Sequence, residues 1–186
     1  MRRFCRRGLL AAALPVLFAP GARAQKVLKL PDKLPDTWYG VEVEDNVFVV
    51  QMPGVPDHRI VSDVSAGGTR FQLHSYSLEA GGFSYVAQSA LYPGDVNTSD
   101  PRTILQAALD GRARGLDGGK WSKVEWRTIM GAAAVESIGP VRGGNELREL
   151  TMLKGRRFVS LAFLGPAGSA NSPQAERFFR SLKLQS

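Results

Sequence analysis

The chain has 186 residues, 44% hydrophobic and 22% charged, a composition that fits a globular protein and excludes a low-complexity or collagen-like one. Its formal charge of +7 would point to a nucleic-acid or membrane-surface partner if it were spread along the sequence. Five of the 24 basic residues lie within the first 24 positions, which hold no acid, so the remainder carries 19 bases against 17 acids, a balance of +2 that argues against nucleic-acid binding.

Residues 1–24 read as a cleavable export signal. A basic start precedes the apolar run Leu9 to Phe18, and Ala22-Arg23-Ala24 supplies an A-x-A cleavage pattern before Gln25. The run is too short for a transmembrane helix, which needs about 18 or more apolar residues. Arg6-Arg7 followed by Gly8-Leu9-Leu10 fits a twin-arginine signal, although a general secretory signal also begins with basic residues. Cleavage between Ala24 and Gln25 places the protein in a bacterial periplasm. It also removes Cys5, the only cysteine, and with it disulfides, thiolate metal ligands and a cysteine nucleophile.

Residues 25–37, punctuated by Lys and Pro, read as a flexible lead-in, and residues 38–186 as a single domain. Short runs rich in Val, Ile, Phe, Tyr and Thr predict strands at 39–43, 47–51, 59–64, 69–78 and 83–91. Glycines 81 and 82 turn the last two into a hairpin. A helix is expected over 100–116, with Asp100 as its cap, Pro101 in its first turn and Gly118-Gly119 as its end. Strands follow near 121–129, 133–138, 147–153 and 158–164, the last two joined at Lys154-Gly155. A closing helix runs from about Ser172 to Leu182. This order gives an α+β fold: a mainly antiparallel central sheet flanked by helices.

Phe48-Val49-Val50-Gln51-Met52-Pro53-Gly54-Val55-Pro56 resembles the opening strand and Pro-Gly-x-Pro turn of the PsbP/Mog1/DcrB-like proteins. Ala175-Glu176-Arg177-Phe178-Phe179-Arg180-Ser181-Leu182-Lys183-Leu184 is similar to their Phe-containing terminal helix and final Ser-apolar-Lys step. The resemblance spans most of 47–184 and implies an α/β/α sandwich. It also implies an accessory, assembly or binding role, as in the better-known members, and no enzyme.

The residues agree in offering no catalytic, cofactor or metal motif. His58 and His74 have no cysteine partners and no short spacing, and read as surface or hydrogen-bonded residues. No Gly-x-Ser-x-Gly elbow occurs, so a triad would have to borrow one of these histidines, for example His74 with Ser89. Gly118-Gly119-Lys120 lacks the earlier glycine of a phosphate loop, since Arg114 stands there, and Trp121 occupies the Ser/Thr position. Gly139 to Gly144 reads as a loop.

The expected function is therefore a non-catalytic periplasmic binding or assembly module for an envelope protein or small ligand, the alternative being a small hydrolase-like enzyme. One surface is singled out by hairpin register. With Ala80-Gly81 at the turn centre, Tyr76 opposes Tyr85 and His74 opposes Ala87. Arg70, His74, Tyr76, Tyr85 and Ser89 then share one face, a mixture suited to a ligand or partner. The competing reading is that a helix covers this face and the tyrosines pack beneath it.

Overall fold

The computed structural model describes residues 37–43 and 47–185. The expected leader with Arg6 and Arg7, the Ala24–Gln25 cleavage point and all of the lead-in but its last residue lie outside the described residues. Among those described, no helix is long and apolar enough to cross a membrane.

Among the described residues, ten strands and two α-helices follow in chain order: β1 (Tyr39–Val43), β2 (Phe48–Met52), β3 (Asp57–Val64), β4 (Arg70–Ala80), β5 (Phe83–Leu91), α1 (Pro101–Ala113), β6 (Lys123–Ile129), β7 (Ala132–Val141), β8 (Asn145–Lys154), β9 (Arg157–Pro166), α2 (Pro173–Arg180) and β10 (Lys183–Leu184). Seven form the central sheet, in the order β3-β4-β5-β9-β8-β7-β6, with antiparallel pairing throughout. The three others form a smaller antiparallel sheet, β1-β2-β10.

The tight turns set the pairing. Gly81 and Gly82 both have positive φ (60° and 80°), the combination a two-residue hairpin turn requires and that Ala80 would adopt only under strain. Ala80 therefore pairs with Phe83, not inside the turn, and the expected register is corrected by two positions: Tyr76 opposes Ala87, His74 opposes Ser89 and Tyr85 opposes Leu78. An even shift leaves every side chain on the face already assigned to it. The expected loop at 139–144 also shrinks. Gly139 to Val141 belong to β7, and only Arg142 to Gly144 turn the chain. Gly139 is needed for close approach, because a Cβ there would stand 2.8 Å from Leu116 Cδ1 and 3.1 Å from Trp121 Cε3.

Each face of the central sheet has its own cover. Helix α1 lies over Phe71, Leu73, Ala90, Val135, Leu153 and Phe158 through Leu105 and Leu109. Asp100 caps it, its carboxylate accepting from the Arg102 and Thr103 N–H groups at 3.1 and 3.4 Å. The helix stops at Ala113 rather than near 116: the Gly115 and Leu116 N–H groups bond back three residues, tightening the last turn. Arg112 locks α1 to the sheet, donating from Nε and Nη2 to Glu149 at 3.0 and 2.8 Å, while Ser160 Oγ donates to the same carboxylate at 2.9 Å.

The opposite face corrects the expected α/β/α layering. Helix α2 occupies only part of it, and the small sheet takes the rest, so Val43, Phe48, Val50 and Met52 share one core with Tyr85, Leu161, Phe163 and Phe178. Burying an apolar side chain of this size contributes about 1.5–3 kcal/mol, and α2 inserts both Phe178 and Phe179. The two motifs that carried the family resemblance meet here. The Gln51 N–H donates to Ser181 Oγ at 2.7 Å, Ser181 Oγ donates to the Phe178 carbonyl at 2.7 Å, and β10 pairs with β2. Those motifs build the second layer of the fold.

Candidate functional site

The surface singled out by the hairpin is divided by the small sheet. Tyr85 and Ser89 are fully buried. Trp38, Phe163 and Phe178 pack edge-on around the Tyr85 ring at 5.3–5.7 Å, and burial pushes its phenol above the ordinary tyrosine range. Arg70 stays exposed at the start of β4. Tyr76 and His74 are half-buried between these extremes, with His58 of β3 stacked on Tyr76 at 4.2 Å. The five residues share a face without forming one accessible surface. His74 and Ser89 are cross-strand partners, but Ser89 Oγ is buried and makes no hydrogen bond, so the pair has no activated nucleophile.

A different site lies at the far edge of the central sheet. There β6, β7, β8 and α2 enclose a cleft of about 380 Å³ floored by Ile129, Ile138, Leu150 and Phe179. Alternation along β6 sends Lys123, Glu125 and Arg127 to this side, where Glu136 of β7 and Arg148 of β8 join them.

These groups form one chain of alternating charge. Lys123 Nζ stands 2.7 Å from Glu125, which also pairs with Arg127. Arg127 reaches Glu136 at 3.0 Å, and Arg148 reaches Glu136 through Nε at 2.6 Å. Arg148 Nη1 donates to Glu176 at 2.6 Å and to the Ala170 carbonyl at 3.0 Å, and Arg180 closes the series on Glu176 at 2.9 Å. Four cations and three carboxylates thus alternate from Lys123 to Arg180.

Burial is deepest in the middle of this series. The side chains of Arg148 and Glu136 are 9% and 11% exposed, while that of Arg180 is 82% exposed. The Arg148 guanidinium also lies 4.5 Å above the Phe179 ring. Hydrogen bonds from Lys123 and Arg127 hold the Glu125 carboxyl down to about 2, and the bond from Arg148 holds Glu176 below the ordinary carboxylate range. Neither supplies a proton near neutral pH, as a general acid must. The cleft presents fixed, paired charge, which suits recognition of a polar partner.

Sequence reasoning passed over this cleft because its residues are common types scattered over 58 positions, Lys123 to Arg180. One signal was available. Arg148 and Glu149 are consecutive and flanked by Leu147 and Leu150, so they must point to opposite faces, and each needs an ionic partner if both faces are covered. Among the described residues, no group of three or more His, Cys, Asp or Glu is placed to hold a metal ion.

No protein-family profile and no curated protein matches the sequence. In structure the chain is similar to the solution structure of cyanobacterial PsbP (CyanoP) from Synechocystis sp. PCC 6803, with a TM-score of 0.53 and 9% sequence identity over 80% of this chain and 93% of that one. Identity that low speaks for backbone architecture and not for activity. The likeness nevertheless covers most of a chain whose end motifs already resembled that group: the protein has a PsbP-like fold.

Proposed function

We propose that the protein is a non-catalytic binding module of the bacterial periplasm that holds a protein partner against the charged cleft beside β6. The observation that carries this reading is the pairing within the cleft. Every charged group in the series from Lys123 to Arg180 has an oppositely charged neighbour, with one positive charge in excess, which favours orienting a partner's polar groups over moving protons. The PsbP-like fold supports it through the accessory roles that the resemblance implies. The leader reading of residues 1–24 supports the compartment.

N-terminal sequencing of exported protein is expected to begin at Gln25, and an intact Met1 would remove the periplasmic assignment. Replacing Arg6 and Arg7 together by Lys blocks export if the twin-arginine route is used. Crosslinking in intact cells from a probe at Asn171, exposed on the lining of the cleft, is expected to capture a defined partner. An Arg127→Glu variant, its cleft charge reversed, is expected to lose that partner while keeping its melting temperature within a few degrees. Turnover of general esterase or phosphatase substrates that disappears in His74→Ala would overturn the reading in favour of a hydrolase.

A further inference from the structure

The chain contains only two histidines, and the fold brings them together. His58 and His74 are 16 residues apart in sequence, yet His58 Nε2 stands 3.3 Å from His74 Nδ1. They sit on the paired strands β3 and β4. His58 opposes Tyr76 and Ile60 opposes His74, so the two imidazoles are diagonal neighbours on one face. Their rings are within 20° of parallel, and Tyr76 stacks on His58 at 4.2 Å and 10°. His58 is exposed and His74 half-buried, so the nitrogen pair lies at the margin of the sheet, away from the charged cleft at its other edge.

We propose that His58 Nε2 and His74 Nδ1 form a two-nitrogen chelate for a divalent transition metal of the copper, nickel or zinc class. Imidazole nitrogens bind such a metal at about 2.0–2.1 Å, and two of them at a tetrahedral angle lie about 3.3–3.4 Å apart. The 3.3 Å contact, in which one ring hydrogen-bonds to the other, already has the tetrahedral spacing that zinc takes, and square-planar copper or nickel draws the two nitrogens in to about 2.8–2.9 Å. Occupation requires each ring to carry its one proton on the nitrogen facing away, so that both facing lone pairs point into the gap; the change is a tautomeric shift through solvent that leaves net charge unaltered. Cross-strand pairing fixes the backbone on both sides, and the Tyr76 stack limits rotation of the His58 ring, so little ordering is left for the metal to impose. Imidazole selects these borderline metals over calcium and magnesium, which prefer oxygen ligands. Among the described residues no further His, Cys, Asp or Glu completes a set of three, so water or an exogenous ligand fills the remaining positions. The site is an open one.

The experiment titrates the full chain, with Cys5 alkylated so that no thiol competes, with Cu2+, Ni2+ and Zn2+ in a calorimeter, using Ca2+ and Mg2+ as controls. One equivalent of Cu2+ is expected per chain, bound more tightly than Ni2+ or Zn2+, with no response to the controls. His58→Ala and His74→Ala are each expected to weaken Cu2+ binding by more than about tenfold. Electron paramagnetic resonance of the Cu2+ complex is expected to show two nitrogen ligands in the parent and one in either variant. His58→Gln and His74→Gln, which preserve more of the packing, replace any alanine variant that fails to fold. Binding that survives both substitutions unchanged, or a copper spectrum without paired nitrogens, would overturn the proposal.

Discussion

Arg148 is the residue on which the charged cleft depends most. Replacing it with Met keeps much of the stem packed on Phe179 but deletes the bonds to Glu136, Glu176 and the Ala170 carbonyl. Removing one partner of a buried ion pair typically costs about 3–5 kcal/mol, because a desolvated charge is left behind. Here Glu136 keeps Arg127 at 3.0 Å and Glu176 keeps Arg180 at 2.9 Å, both nearer solvent. The loss therefore falls at the lower end, about 3 kcal/mol. At about 2–4 °C per kcal/mol for a chain of this size, Tm drops by about 6–12 °C. Thermal unfolding followed by circular dichroism measures it. The double variant Arg148→Met with Glu136→Gln removes the stranded carboxylate as well, and is expected to be more stable than the sum of the single losses by about 1 kcal/mol or more. A Tm drop below about 2 °C for Arg148→Met, or strict additivity in the double variant, would refute the account of a buried ionic core.

Three further outcomes are expected. The carboxyls of Glu125, at about 2, and Glu176 titrate below their ordinary value of 4.5 when folded, so the stability each contributes is present above 4.5 and is lost as pH falls below 4.5 through its own folded value. Denaturant midpoints measured across this range are expected to fall less steeply in Glu176→Gln than in the parent, and parallel curves would count against the assignment. Phe178→Ala empties a fully buried position between Tyr85 and Phe179 and is expected to cost about 3–5 kcal/mol, so an unchanged denaturation curve would show that α2 is not part of the core. Gly139→Ala drives a methyl group against Leu116 and Trp121 and is expected to cost about 1–3 kcal/mol by equilibrium unfolding, whereas a neutral result would mean those side chains move aside freely.

The sequence by itself determined the local choices. Runs of β-branched and aromatic residues marked the strands, Asp100-Pro101 and Ser172-Pro173 opened both helices, and period-two alternation combined with the parity of the hairpin put Tyr85 and Phe71 on opposite faces. Those signals act over a few residues, where backbone sterics and capping bonds dominate. Register was less legible, because it turns on which two residues hold positive φ, and three small residues in a row (Ala80-Gly81-Gly82) offered two choices. Only the tertiary structure decided what covers each face. The two-residue strand β10 carries almost no sequence signal, yet with β1 and β2 it forms a layer that shares its core with Tyr85 and removes that residue from any binding surface. The same holds for chemistry brought together by distance. Arg127, Glu136, Arg148 and Glu176 lie on four different elements, and His58 and His74 on two, so neither cluster has a spacing to be read. Partners that meet only through sheet order and packing leave no periodic trace, because the energy that unites them is non-local.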